Sequence, residues 1–92
     1  MTDAQFALIS RTVADPSRLA MLQRIARAGE TSCLTLREHL GVTPATVSHH
    51  VRELAAAGLV EERKDAKLLF LRLKSAVWRA YLAELARRVP VK

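Results

Sequence analysis

The chain has 92 residues, half of them hydrophobic and 26% charged, and its formal net charge at pH 7 is +6. This size and composition predict one domain, 1–92, and exclude a disordered chain, while the absence of a long apolar run or a secretory signal predicts no membrane partner. The only cysteine, Cys33, excludes an intramolecular disulfide framework and fits a cytoplasmic location, and the positive charge favours nucleic acid as a partner.

The first two predicted elements are helices. Phe6, Ile9 and Val13 recur at helical spacing and predict a first helix over residues 3–13. Asp15-Pro16 joins a residue that caps helix N-termini to one that is favoured at the first helical position, so the second helix begins there. Gly29 ends it, because glycine adopts the left-handed conformation of a helix C-terminus. The predicted apolar face of the second helix consists of Leu19, Leu22, Ile25 and Ala26.

Two shorter helices follow. Residues 32–34 predict a short extended segment, and Thr35 is predicted to cap a helix that Gly41 ends. Thr43-Pro44 begins the next helix by the same logic as before, and Gly58 ends it. Two short helices joined by a turn of three or four residues that contains glycine are typical of a helix-turn-helix. The residues predicted to be buried between them are Leu36, Leu40, Val47, Val51 and Leu54.

The last third of the chain predicts a hairpin and a helix. Two strands are expected on either side of a four-residue turn at Lys64–Lys67, the second of them over Leu68–Leu73. Ser75 is predicted to cap a last helix over residues 75–88, which stops before Pro90. The predicted fold class is therefore mostly α with a small β-hairpin wing, a winged helix-turn-helix of order α1-α2-β1-α3-α4-β2-β3-α5.

The second helix of the helix-turn-helix carries the polar side chains suited to reading DNA. Val47, Val51 and Leu54 cluster on its inner face, and His50 lies at the edge of that face, where we expect it to be half-buried. The outer face offers small residues, hydroxyls, an imidazole and a guanidinium, which can meet base edges or phosphates in a major groove. The residues predicted to contact DNA are Thr43, Ala45, Thr46, Ser48, His49 and Arg52.

Metal binding and catalysis are both disfavoured at this helix. The adjacent His49 and His50 diverge by about 100° and cannot both ligate one ion, and only Glu53 stands at a useful spacing from His49. The chain also lacks a nucleophile–histidine–carboxylate arrangement, a glycine-rich phosphate loop and paired carboxylates in a cleft. We therefore predict no metal, no cofactor and no enzymatic activity.

The hairpin has its own basic residues, namely Arg63, Lys64 and Lys67. Directly after a helix-turn-helix, such residues are suited to contacting phosphates or the minor groove. Acidic residues are interspersed with them, so the alternative is a solvated hairpin tip without a binding role.

Three segments carry a family resemblance, "ADPSRLAMLQRIARAGE", "LREHLGVTPATVSHHVRELAAAGLV" and "FLRL". Over residues 10–74 the chain resembles the ArsR/SmtB family of winged-helix repressors. The resemblance implies a homodimeric bacterial transcriptional repressor that leaves its operator when an inducer binds, and pairing through the first and last helices.

The terminal helices, residues 3–13 and 75–88, also suggest a dimer on physical grounds. They carry large apolar side chains that a small monomer would have difficulty covering, and exposed apolar patches usually mark interfaces. The alternative is packing onto the core of the same subunit. A two-fold dimer would place two recognition helices about 34–36 Å apart, on successive major grooves. The predicted interface consists of Phe6, Ile9, Trp78, Tyr81, Leu82 and Leu85.

The family's metal-sensing sites have no counterparts in the sequence. Where many members carry Cys-Val-Cys, this chain has Ser32, Cys33 and Leu34, and its last helix has neither Asp nor His. A soft-metal site needs two or three thiolates, so the signal is expected to be a small-molecule inducer of unknown identity or no ligand at all.

Cys33 is either a small buried residue or a redox switch. The alternatives to a DNA-binding repressor are a protein-interaction module and a thiol-based redox regulator.

Overall fold

A computed structural model describes all residues 1–92, with five helices and three strands. The helices are α1 (Asp3–Val13), α2 (Pro16–Ala28), α3 (Cys33–Leu40), α4 (Pro44–Ala56) and α5 (Ser75–Arg88). The strands are β1 (Glu30–Ser32), β2 (Val60–Asp65) and β3 (Leu68–Leu73). This order confirms the predicted winged helix-turn-helix, in which α3 and α4 are the helix pair and β2–β3 is the wing. None of the helices is long and apolar enough to cross a membrane.

The starts of α2 and α4 follow from local side-chain chemistry. Asp15 accepts hydrogen bonds from the backbone N–H groups of Ser17 and Arg18, at 2.8 and 3.1 Å. Thr43 accepts one from the N–H of Thr46 at 3.2 Å. In both helices a proline occupies the first turn, where its missing N–H would have no helical partner. Both predicted starts are confirmed.

The predicted caps of α3 and α5 are wrong. Ser32, not Thr35, caps α3, and its hydroxyl accepts a hydrogen bond from the N–H of Thr35 at 3.1 Å. The reason is tertiary, because Ser32 is paired with Phe70 in the sheet, so the chain stays extended to this residue and then turns. Likewise, Lys74 holds the N-cap position of α5 without a side-chain bond, and Ser75 is the first helical residue.

The sheet is antiparallel, and β3 lies between β1 and β2. The strands of the wing extend to Asp65 and Leu68, so the turn between them has two residues rather than the predicted four. Ala66 in this turn has a φ of 55°, in the left-handed region. A residue with a Cβ adopts that conformation at a cost of roughly 1–2 kcal/mol, so Ala66 forms a tight turn without the glycine that usually signals one, and the sequence therefore predicted a longer turn.

The core draws side chains from all five helices and from the sheet. Its fully buried side chains are Ile9, Met21, Ile25, Leu36, Leu54, Leu59 and Leu71. The predicted burial of Leu36, Val47, Val51 and Leu54 is confirmed, while Leu40 is partly buried against the core.

One predicted apolar face is only half buried. On α2, Met21, Leu22 and Ile25 face the core, but Leu19 and Ala26 are exposed. The two exposed residues line an open apolar groove of about 330 Å³, which Trp78 and Leu73 border from the other side. The sequence-based prediction therefore assigned too many residues of α2 to its buried apolar face.

Candidate nucleic-acid interface

The outer face of α4 presents an uninterrupted set of polar and small side chains. Ala45, Ser48, His49 and Arg52 are all exposed, and their spacing of three or four residues places them on one side of the helix. Arg52 makes no ion pair within the chain. A guanidinium that is not neutralised internally remains available for a phosphate or for the edge of a guanine.

The first turn of α4 is held rigidly. The hydroxyl of Thr43, which caps the helix, lies 2.9 Å from the hydroxyl of Thr46, so these two side chains hydrogen-bond to each other. Whichever hydroxyl donates, one hydroxyl hydrogen of the pair remains available to a ligand, and the Thr46 oxygen keeps a lone pair. Pro44 has no N–H, and those of Thr46 and Val47 are bound by Thr43, so Ala45 has the one unpaired backbone N–H of this turn. This N–H and the positive end of the helix dipole favour an anion nearby.

His50 lies on the inner side of α4 and is only 9% exposed. Its Nδ1 is buried and has no hydrogen-bond partner. Burial lowers the pKa of the imidazole, and the nearby Arg18 and His49 act in the same direction, whereas Asp15 and Glu53 oppose the shift. The side chain therefore packs as a neutral ring beneath the recognition helix, more deeply than predicted, and takes no part in the outer face.

In the wing, Arg63 is engaged within the subunit. Its guanidinium donates two hydrogen bonds to the carboxylate of Glu30, at 2.7 and 3.3 Å, and lies 4.7 Å from the ring centroid of Phe70. Asp65 lies 3.7 Å away. The hydrogen bonds from Arg63 hold the pKa of the Glu30 carboxyl below its usual value. This arginine ties β2 to β1 across β3, which makes it a poor match for the predicted phosphate contact.

The other two predicted basic residues of the wing, Lys64 and Lys67, are exposed and have no carboxylate partner. Lys67 lies at the tip and lines a groove of about 420 Å³ together with Ser48 of α4 and Arg37 of α3. We call this concavity the wing groove. The sequence-based prediction missed Arg37, although its position on the first helix of a helix-turn-helix, which crosses the DNA backbone in known complexes, was a usable signal.

Cys33 also borders the wing groove. The thiol is partly buried, and this burial, aided by the negative charge of Glu62, raises its pKa. Reactive cysteines have lowered pKa values, because the thiolate is the nucleophile. The structure therefore gives no support to the redox alternative.

No group of three or more His, Cys, Asp or Glu side chains is close enough to hold a metal ion. The rings of His49 and His50 have centroids 5.7 Å apart, but one ring is exposed and the other is buried. The two histidines thus belong to different environments, the first to the outer face of α4 and the second to the packing beneath it.

Two of the six residues predicted for a dimer interface lie inside the subunit. Ile9 is wholly buried, and Tyr81 is only 5% exposed because its ring packs against Phe6 and Trp78, with centroids 5.2 and 5.5 Å apart. The Tyr81 hydroxyl lies 2.9 Å from that of Ser10, a hydrogen bond that joins α5 to α1. Tyr81 fastens the terminal helices of one chain together and Ile9 lies in the core, so neither side chain is available to a second subunit in this conformation.

The rest of that predicted interface is at the surface. Leu82 and Leu85 are 46% and 38% exposed on one face of α5, and Trp78 is partly exposed one turn earlier. Phe6 is partly covered by the guanidinium of Arg88, whose carbon lies 4.0 Å from the ring centroid. An apolar stripe of this kind on the surface of a small protein is typical of an interface.

Comparison with known proteins agrees with this architecture. Residues 13–63 match a family model described as a helix-turn-helix domain. The chain is 31% identical over 77 residues to the arsenical resistance operon repressor of Staphylococcus aureus, a match that covers 84% of this chain and 73% of that protein. Across the curated relatives it matches, the chain spans between about half and about three quarters of their length.

Solved structures give the same result. An ArsR-like transcriptional regulator from Rhodococcus sp. RHA1 superposes with a TM-score of 0.82 at 26% identity, covering 91% of this chain and 78% of that one. The homodimeric winged helix-turn-helix DNA-binding domain of a Mycobacterium bovis regulator shares the fold, with a TM-score of 0.77 at 23% identity and coverage of 100% and 92%. The chain therefore belongs to the ArsR family of winged helix-turn-helix transcriptional regulators.

Proposed function

We propose that residues 1–92 act as one DNA-binding domain, that two copies pair through α1 and α5, and that the dimer represses transcription until a signal releases it from its operator. The recognition helix is α4. In this proposal Ser48, His49 and Arg52 contact base edges or phosphates in the major groove, and Thr43, Ala45 and Thr46 approach the DNA at the start of the helix.

The observation that carries this proposal is the outer face of α4. It combines exposed hydrogen-bonding side chains with small residues that allow close approach, and its arginine is not neutralised inside the chain. These side chains would be poor apolar anchors, which disfavours the alternative of a protein-interaction module. Lys67 and Arg37 line the wing groove together with Ser48, which supports a phosphate contact there.

Further observations support the proposed dimer and its release from the operator. Leu82 and Leu85 remain exposed on α5, and the neighbour from Mycobacterium bovis is homodimeric. The Staphylococcus aureus relative is an arsenical resistance operon repressor, which supports repression as the role of this chain. The metal that its name suggests has no counterpart among the donors of this chain, so we assign the signal to a ligand other than a soft metal ion.

The test is a titration of Arg52→Ala against duplex DNA. Bound genomic fragments are first selected to obtain the operator, and affinities are then measured by fluorescence anisotropy at several salt concentrations. We expect the wild type to lose affinity steeply with salt, because phosphate contacts release counterions. Loss of a specific contact by Arg52→Ala should weaken operator binding by about 1–3 kcal/mol, which is roughly 5- to 150-fold.

The matched control is Arg72→Ala, which removes the same charge from an exposed residue of β3, outside α4 and outside the proposed dimer helices. It should bind the operator nearly as the wild type does. Equal affinity for all three proteins, or binding that does not depend on salt, would refute the assignment of α4 as the DNA-reading helix.

A further inference from the structure

The largest of the surface grooves lies away from the outer face of α4. It has a volume of about 640 Å³ and is formed by α2, β1 and α3, and we call it the α2–α3 groove. Its polar lining consists of Gln23, Arg24, Arg27, Thr31, Thr35 and His39. Alanine and leucine side chains make up its apolar floor, where the buried Leu36 connects the groove to the core.

The lining carries two arginines and no carboxylate, so its formal charge is positive. Arg24 and Arg27 are exposed and lie one turn apart on α2, where like charges repel each other. Neither makes an ion pair or a side-chain hydrogen bond within the chain, in contrast to Arg63 and Arg88, which both bind carboxylates. The helix dipole accounts for a cation at Arg27, in the last turn of α2, but not for one at Arg24.

Hydroxyl groups complete the set of donors. The Thr35 hydroxyl accepts a hydrogen bond from Ser32 at 3.0 Å, which leaves its own hydrogen free to donate. The Thr31 hydroxyl, on the neighbouring strand, makes no hydrogen bond within the chain, and His39 can donate from a ring nitrogen. Two guanidinium forks with nearby hydroxyl donors match the several oxygens of a phosphate group, which arginine binds through two parallel hydrogen bonds.

We propose that the α2–α3 groove binds a small molecule that carries a phosphate group. Its volume falls within the roughly 300–1,000 Å³ that small-molecule sites occupy and exceeds what a lone phosphate needs, and the apolar floor would receive the organic part. The groove also faces away from the wing groove. Thr35 and His39 point about half a turn away from Cys33 and Arg37 on α3, so the free ligand, rather than a duplex phosphate, is the source of the group.

The test uses inorganic pyrophosphate as a probe, with the full chain and no DNA. Amide shifts of the ¹⁵N-labelled protein are followed during titration at constant ionic strength. We expect saturation at one site, with the largest shifts at Thr31, Thr35 and His39. The double variant Arg24→Ala/Arg27→Ala should bind about tenfold more weakly or worse, because both guanidinium forks are gone.

The control Arg11→Ala/Lys92→Ala loses the same two charges outside the groove and should bind pyrophosphate as the wild type does. Shifts that never saturate, or an equal loss of binding in both double variants, would overturn the proposal, since either result means attraction by net charge alone. Melting curves of the variants establish that each remains folded.

A second arm separates the two sources of phosphate. If the groove held a duplex phosphate, Arg24→Ala/Arg27→Ala would reduce the salt dependence of DNA binding by about two counterions, which would overturn the small-molecule assignment. An unchanged salt dependence supports it. Complete absence of duplex binding by the wild type would refute the DNA-binding function and leave the pyrophosphate result standing.

Discussion

At the scale of single residues, His50 is the side chain with the most unusual environment. It is 9% exposed, its Nδ1 has no partner, and the charged groups around it are Asp15, Arg18 and Glu53, with the titratable ring of His49 next to it. A buried polar atom without a partner costs stability, and a charge on the ring would cost more. The packing of α4 against α2 therefore requires the imidazole of His50 to be neutral.

This environment predicts a pH-dependent stability. Because burial lowers the pKa of His50 in the folded chain, the unfolded chain binds more protons once the pH falls to about 6.5 and below. The free energy of unfolding should therefore decrease as the pH is lowered from 7.5 to 5.5. Urea unfolding at both pH values checks this, and His50→Leu should show a smaller decrease than the wild type.

The exposed His39, which is not among the groups that shift the pKa of His50, provides the control, and His39→Gln should lose as much stability on acidification as the wild type does. If His50→Leu and the wild type lost the same free energy of unfolding between the two pH values, another group would be responsible for the pH dependence.

At the scale of secondary-structure elements, the wing shows why the sequence predicted helices and strands better than it predicted the side-chain contacts between them. The hairpin was predicted from β-branched and apolar runs, and the caps Asp15 and Thr43 from chemistry within three residues. The role of Arg63 could not be predicted in this way, because its partner Glu30 is 33 residues away and comes close only through the order of the sheet. Ser32 and Thr35 are equally good caps by local rules, and strand pairing decides between them.

The two basic residues of the wing should therefore behave differently. Lys67→Ala should weaken binding to all duplex sequences alike and reduce the salt dependence by about one counterion, because Lys67 has no internal partner. Arg63→Ala should leave the salt dependence nearly unchanged and lower the melting temperature, since it unties β2 from β1.

Salt titrations and melting curves of both variants are the measurements. The assignment would be contradicted if Arg63→Ala reduced the salt dependence by one counterion and Lys67→Ala did not change it. That result would mean that Arg63 contacts the DNA and that its ion pair with Glu30 opens on binding.

At the scale of the whole molecule, the terminal helices pack within the subunit and also present apolar side chains at the surface. The sequence pattern did not separate these two sets of side chains. The spacing of apolar residues on α1 and α5 was visible, but it could not tell which side chains pack within the subunit. The structure assigns Ile9 and Tyr81 to the interior and leaves Leu82 and Leu85 at the surface. Such a division requires tertiary packing, because an α-helical apolar stripe can serve a core and an interface at once.

We predict that Leu82→Glu/Leu85→Glu is monomeric. Two carboxylates on the exposed stripe of α5 would be buried without partners in a dimer, a strong penalty, but would be solvated in the monomer. Sedimentation velocity checks the mass. Operator affinity should fall in parallel, because two linked recognition helices bind far more tightly than one.

Leu68→Glu, at an exposed leucine of the wing, is the control for oligomeric state and should sediment as the wild type does. A double variant that stays dimeric would exclude the proposed pairing through α5.

Amide chemical-shift mapping of the labelled protein on its operator tests, without any substitution, whether the outer face of α4 meets DNA. We expect the largest changes at Ser48, His49 and Arg52, smaller ones at Arg37 and Lys67, and little change at Arg24 and Arg27. Changes concentrated on α2 or α5, with the resonances of α4 unmoved, would contradict the role of α4 as the recognition helix.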